Sequence, residues 1–183
     1  LVINRMDREL ANFDHAMGSV QHVFGRSVVP IQLPIGAEKT FRGVVDLIAM
    51  KALIYTPDGD GRGKVEEIPA DLAEAAKAAH ETLVELVAEG DDKLMEEFFE
   101  KGTLPVEDLV LGLRLAVQAR RIFPVMVSSG LHNIGSDAIL NTLVQIFPDP
   151  AARGKASGSS EPGGKGQPVE RAVKDSEPVS VFV

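Results

Sequence analysis

Short aliphatic runs and stripes at helical spacing alternate along this chain, and the two periods place most of its elements. Leu1-Val2-Ile3 runs straight into Asn4-Arg5-Met6-Asp7, which reads as a buried strand ending at a polar loop. Phe13, Met17, Val20 and Phe24 then recur at the spacing of a helix, with Gly25 placed as its C-cap. Strands are predicted at Val28–Leu33, Phe41–Leu47 and Lys51–Thr56, and after the turn Pro57–Gly63 at Lys64–Ile68. Three helices follow. One runs from Pro69/Ala70 to Glu89 with Leu72, Ala76, Ala79, Leu83 and Leu86 as its apolar stripe. A short acidic one covers Lys93–Glu100. The third, Pro105–Arg120, turns Leu109, Leu113, Ala116 and Val117 inward. Phe123–Ser128 is a second aliphatic strand, followed by Ser129-Gly130-Leu131 and a last helix, Asp137–Phe147, stopped by Pro148 and Pro150. From Ala151 to Lys174 both periods vanish into Gly, Ser, Lys, Glu and Pro, which predicts a mobile linker. Val179–Val183 is strand-like again, and the chain opens in mid-strand, so both ends are expected to continue.

In an open α/β sheet, ligands collect beyond the carboxyl ends of the strands, where Asn4 and Asp7 fall. An ionised Asp offers two acceptor oxygens and no donor. That matches guanine, whose N1–H and N2–H₂ donate side by side. It mismatches adenine, which has an acceptor at N1. A bare Asn-x-x-Asp is more often a helix N-cap after a strand. The downstream loop adds to the first reading, because strand–NxxD–helix followed by strand–Ser-small-x–helix is the order of the two guanine-base loops of GTPases.

The intervening sequence carries a closer likeness. The runs Arg26-Ser27-Val28-Val29-Pro30-Ile31-Gln32-Leu33-Pro34-Ile35-Gly36-Ala37-Glu38 and Phe41-Arg42-Gly43-Val44-Val45-Asp46-Leu47-Ile48-Ala49-Met50-Lys51-Ala52 resemble bacterial elongation factor G, as does Glu67-Ile68-Pro69-Ala70-Asp71-Leu72. The resemblance covers nearly all of the chain, residues 151–175 excepted. It implies an α/β fold: the second half of a doubly wound P-loop GTPase domain, residues 1–26 and 121–147, interrupted by an inserted α+β subdomain (G′), residues 27–120. Residues 148–177 would be a linker, and 178–183 the first strand of a following β-barrel domain. The family's base-reading motif is usually Asn-Lys-x-Asp, and here it is Asn4-Arg5-Met6-Asp7. By position, Asp7 would accept from guanine N1 and N2, and Asn4 would contact the N7 side. Arg5 would lay its stem along the base in place of the family's Lys. The second loop is usually Ser-Ala-x, whose middle residue donates its backbone N–H to guanine O6. Ser129-Gly130-Leu131 keeps that N–H.

The resemblance further implies a ribosome-dependent, cytoplasmic GTPase of the translocating type. A related ribosome-protection or release-type GTPase, or a stalk-binding interaction module without GTPase activity, is the alternative. No G-x-x-x-x-G-K-[ST] and no Asp-x-x-Gly loop occur here, so GTP or GDP with Mg²⁺ is expected only in the full-length parent. This segment is expected to hold no catalytic residues, no metal site and no nucleotide by itself. Three near-motifs fail on spacing. Gly59…Gly63-Lys64-Val65 has its glycines one residue too close, and Gly158…Gly164-Lys165-Gly166 is one residue too long. Asp58-x-Asp60 would need Glu at position twelve of a Ca²⁺ loop, where Pro69 stands. His15 and His22 lack partner ligands at metal spacing.

Composition narrows the partners. The net charge of −8 over 183 residues argues against independent nucleic-acid binding, which needs a clustered basic face. Aliphatic runs interrupted by Asp46 and Lys51 exclude a membrane-spanning helix. The absence of cysteine excludes disulfides and thiol chemistry. On the Ala70–Glu89 helix, Glu74, Glu81, Glu85 and Glu89 fall within a sector of ~80° opposite the apolar stripe. In elongation factor G this subdomain meets the lysine-rich C-terminal domain of the ribosomal stalk protein, so the resemblance makes these four glutamates the expected partner-binding face.

Overall fold

The computed structural model describes residues 1–161, 166–174 and 176, in two compact units that divide after Phe147. The strand predicted within residues 178–183 lies outside the described residues.

The first unit is a mixed α/β structure. Strand β1 (Val2–Ile3) leads through α1 (Phe13–Phe24) to β2 (Val28–Pro30). Both strands pair in parallel with β7 (Phe123–Val127), giving the order β1-β7-β2. Strand β7 is buried at four of its five residues, as expected for the centre of a parallel sheet covered on both faces. Helix α1 starts at Asn12, whose side chain accepts from the His15 N–H, and stops at Gly25, which has a positive φ. Between β2 and β7 lie four antiparallel strands: β3 (Gln32–Ile35), β4 (Gly43–Asp46), β5 (Lys51–Ile54) and β6 (Lys64–Glu66), ordered as in sequence. Helices α2 (Ala73–Ala88), α3 (Asp92–Lys101) and α4 (Val106–Gln118) follow them, and α5 (Ser136–Ile146) comes after β7.

Two expectations about boundaries change. The predicted strand Val28–Leu33 is two strands in different sheets, so residues 28–30 belong to the parallel sheet rather than to the insertion. The break falls at Ile31, whose N–H donates to Val125 O at 3.0 Å while its carbonyl accepts from Leu47 N at 3.0 Å. One residue thus serves both sheets. The core of the insertion is also continuous with that of the parallel sheet. Val29, Leu83, Val87, Leu109 and Leu113 pack in one buried cluster with Met126 of β7 and Ile146 of α5. The boundary expected at residues 27 and 120 therefore separates chain segments, not hydrophobic cores.

The helices of the insertion end for local reasons. Helix α3 is capped by Asp91, whose carboxylate accepts from Lys93 N and Leu94 N, and closes on Gly102 in the left-handed region. Helix α2 stops at Glu89-Gly90, where any Cβ on Gly90 would collide with the Arg121 guanidinium.

The second unit corrects the expectation of a structureless linker. Within residues 148–177, β8 (Lys155–Ser159) and β9 (Pro168–Ala172) form an antiparallel hairpin from Lys155↔Ala172 to Ser159↔Pro168. Composition suggested otherwise because a ladder needs only backbone donors and acceptors. The turn is held by serine hydroxyls, Ser159 accepting from Gly166 N and Ser160 from Gln167 N, each at 3.0 Å. Every β8 residue is exposed, so the hairpin buries little and is marginally stable.

Candidate functional site

The two loops singled out in the sequence meet at the carboxyl end of the parallel sheet. Ile3 and Val127 are register partners, so the chain leaves both strands at the same level. Asn4 joins the loops. Its Oδ1 accepts from Gly130 N at 3.0 Å, from the Ser128 hydroxyl at 3.2 Å and from Arg5 N at 2.7 Å. Met6 makes the second tie, donating its N–H to Ser128 O at 3.1 Å and accepting from Glu38 N at 2.9 Å, with its side chain fully buried. The downstream loop closes on itself through paired backbone bonds between Ser129 and Ile134, each 3.0 Å.

Asp7 lies beside this junction, its side chain only 12% exposed. Its Oδ1 is buried with no hydrogen-bond partner, alone in that respect among the described side chains. The Ser129 hydroxyl holds its carboxyl below the usual range against the opposing effect of burial, helped by its own backbone N–H, His132 and Arg5. Asp7 is therefore ionised at neutral pH, and its unpaired oxygen is a buried acceptor lacking a donor. Such an atom costs about 1–3 kcal/mol relative to a bonded one. Guanine's N1–H and N2–H₂ are the kind of donor pair that would satisfy it.

The other predicted residues differ in how they sit. Arg5 is exposed and holds a left-handed backbone, φ 65°. Ser129 is fully buried, and Leu131 is 70% exposed. Gly130 is exposed, but its N–H, expected to be free for guanine O6, is already engaged by Asn4. A Cβ at Gly130 would meet only the Asn4 amide, at 3.7 and 3.8 Å, an ordinary contact that an alanine would make without strain. His132, which sequence reasoning passed over, bonds Asp58 Oδ1 through Nδ1 at 2.9 Å and places Nε2 3.9 Å from Asp7 Oδ2. A lone His in a loop carries no periodic signal, and its partner stands in a turn 74 residues away.

The acidic face of α2 lies apart from these loops. Glu74, Glu81, Glu85 and Glu89 are all exposed, opposite buried Ala76, Leu83 and Val87. Glu89 pairs with Arg26 at 3.6 Å and Glu81 with Lys77 at 3.9 Å, both solvent-exposed pairs of small energetic weight. Glu81 and Glu85 flank a shallow groove between α2 and α3 whose other walls are Ala78, Thr82, Phe98 and Gly102. On α3, Phe99 is 76% exposed. No described helix is long and apolar enough to cross a membrane. Among the described residues, no group of three or more His, Asp or Glu is placed to hold a metal.

No protein-family profile matches the chain. Among solved structures, a crystal structure of a protein from Thermus thermophilus is similar over 85% of this chain, with a TM-score of 0.73 and 23% identity. The chain spans 23% of the length of that protein. At this identity the likeness carries the fold alone: a mixed α/β arrangement in which a short parallel sheet is covered by helices.

Proposed function

We propose that the chain is the base-reading and partner-docking segment of a ribosome-dependent translational GTPase of the elongation factor G type, acting in the cytoplasm. The observation that carries this reading is the unpartnered, buried Asp7 Oδ1 at the end of a parallel strand, beside two loops locked together by Asn4. Asp7 would accept from guanine N1 and N2, Asn4 would set the spacing of the loops, and Arg5 would cover the base from solvent. The Gly130 N–H would be shared between Asn4 and guanine O6. The residues present fit the base half of GTP or GDP. The phosphates and Mg²⁺, which supply the hydrolysable bond, would be held by other parts of a longer protein.

The division makes a simple test. The 183-residue chain should bind no GTP at micromolar concentrations, because P-loop enzymes hold the nucleotide chiefly through its phosphates. The longer protein should bind it in a Mg²⁺-dependent manner. Isothermal titration of both decides the matter, and tight Mg²⁺-dependent binding by the chain alone would misplace the phosphate site.

The groove beside Glu81 and Glu85 suits a partner that is basic with an apolar edge, as the C-terminal domain of the ribosomal stalk protein is in the family resembled. Opposite charge mainly accelerates encounter and is screened beyond about 8 Å at physiological salt. Changing Glu81 and Glu85 to Lys should leave the fold intact and slow stalk-dependent activation on ribosomes, with the defect shrinking as salt rises. NMR titration of the stalk domain gives the direct check. Shifts confined to other helices, or none at millimolar protein, would make the face plain solvated surface.

A further inference from the structure

The turn Pro57–Gly63 between β5 and β6, with Tyr55 just before it, lies against the loop that follows β7 and the first turn of α5, and four contacts fix it there. Asp58 N donates to His132 O at 3.1 Å, and Asn133 Nδ2 donates to Gly59 O at 3.2 Å. Gly63 N donates to Asp137 Oδ2 at 2.9 Å, and the Tyr55 hydroxyl donates to Asp137 Oδ1 at 2.6 Å. Gly61 is buried with φ 76°, and a Cβ there would stand 2.5–2.7 Å from the Asn133 side chain. Only glycine admits that approach. Asp58 and Asn133 both hold left-handed backbone, a conformation that short polar side chains tolerate best. The turn is thus a fitted part rather than a loose hairpin end.

From it one chain of polar groups runs to the base-reading loop: the Asp58 carboxylate, the His132 ring, then the Asp7 carboxylate. We propose that this turn is a clamp on the base-reading loop, with His132 the positioning residue that transmits the state of the insertion to Asp7. The proposal rests on the guanine reading for its consequence in nucleotide binding, but not for the coupling itself. The charged groups facing His132 are Asp58 from the turn and Asp7 from the loop after β1, with Arg5 acting on Asp7 from the same loop. Asp60 and Arg62 face each other at 4.0 Å, and Asp137 is occupied by Tyr55 and Gly63.

The ring's protonation sets what Asp7 sees. With both nitrogens protonated, Nδ1 donates to Asp58 and Nε2–H faces Asp7 Oδ2. When the ring is neutral and Nδ1 keeps its proton for Asp58, a lone pair faces Asp7 instead. The Asp58 hydrogen bond raises the His132 pKa above its ordinary value, outweighing the opposing effect of burial. A raised folded-state pKa means that the stability this link adds is complete below the unfolded value, near 6.5, and is lost as pH rises through the folded one.

NMR titration of the full 183-residue chain tests the coupling without nucleotide. The His132 ring should titrate with a midpoint above 6.5, and the Asp7 carboxyl carbon should show an inflection at that same midpoint. Asp58→Asn should lower the midpoint. His132→Gln, which keeps a donor but cannot titrate, should abolish the Asp7 inflection while leaving the loop's amide shifts nearly unchanged. An Asp7 carbon blind to the His132 midpoint in the wild type overturns the proposal, as does a midpoint unmoved in Asp58→Asn. In the longer protein, Asp58→Asn should weaken guanine nucleotide binding about five-fold, the scale of one unit-charge contact at ~4 Å in water. It should leave the GTP-over-XTP preference unchanged. Absence of any guanine preference in the wild type would instead defeat the base-reading assignment, with the NMR result still deciding the clamp.

Discussion

On the proposed base-reading role, a longer protein that also holds the phosphates should lose its preference for GTP and favour XTP when Asp7 is changed to Asn. The substitution replaces an acceptor by an amide donor opposite guanine N1–H and N2–H₂. Xanthine carries a carbonyl at C2 and accepts where guanine donates. A site whose buried polar groups match one base rejects a mismatched one by roughly 10⁴–10⁵-fold, so the effect lies far outside experimental scatter. The structure sharpens the expectation, because Asp7 Oδ1 is buried and makes no hydrogen bond among the described residues. Competition of GTP and XTP against a labelled nucleotide on both proteins is the measurement. An unchanged preference in the variant would remove Asp7 from base reading.

The second large effect concerns the core shared by the insertion and the parallel sheet. Leu83 is fully buried in the cluster that includes Leu109, Leu113, Met126 and Ile146. Truncation to Ala should destabilise residues 1–147 by about 2–5 kcal/mol, the range for deleting a buried leucine side chain in a close-packed interior. Because one cluster serves both parts, the loss should appear as a single transition. Helix α3 lies wholly within the insertion, so its amide signals report on that part. Their urea midpoint should coincide with that of amide signals from the Ser128–Gly130 loop. Two separated midpoints would show that the insertion folds as an independent body.

That the loops of Asn4 and Ser129-Gly130 would meet was legible because each follows an aliphatic strand, and the end of such a run is visible in its period. The four glutamates of α2 were legible for a related reason, since a helix places residues four and seven apart on one face. Met6 was not legible as a core residue, because a single apolar side chain in a polar loop has no period to betray its burial. Nor was the change of sheet at Ile31. Val28–Leu33 reads as one apolar run whichever neighbours it hydrogen-bonds. The Asp58–His132 contact joins two loops, where side-chain direction follows from tertiary packing and from left-handed backbone that composition does not announce.

The passage of β2 and β7 side by side constrains how the gene segment between them can be edited. Val28 lies opposite Phe123 and Pro30 opposite Val125, so the two strands point the same way and are immediate neighbours. Neighbouring parallel strands cannot be joined by a tight turn, and need a connection of about a dozen residues or more to carry the chain back to its starting end. Residues 31–122 are that return path. Deleting them and sealing the gap with a hairpin linker would force β7 to run backwards, inverting the order in which Ser128 and Ser129 emerge and carrying them to the opposite end of the sheet from Asn4. Any shortened version therefore has to keep a return path long enough to span the sheet, together with the α2 and α4 side chains that pack on Met126 of β7.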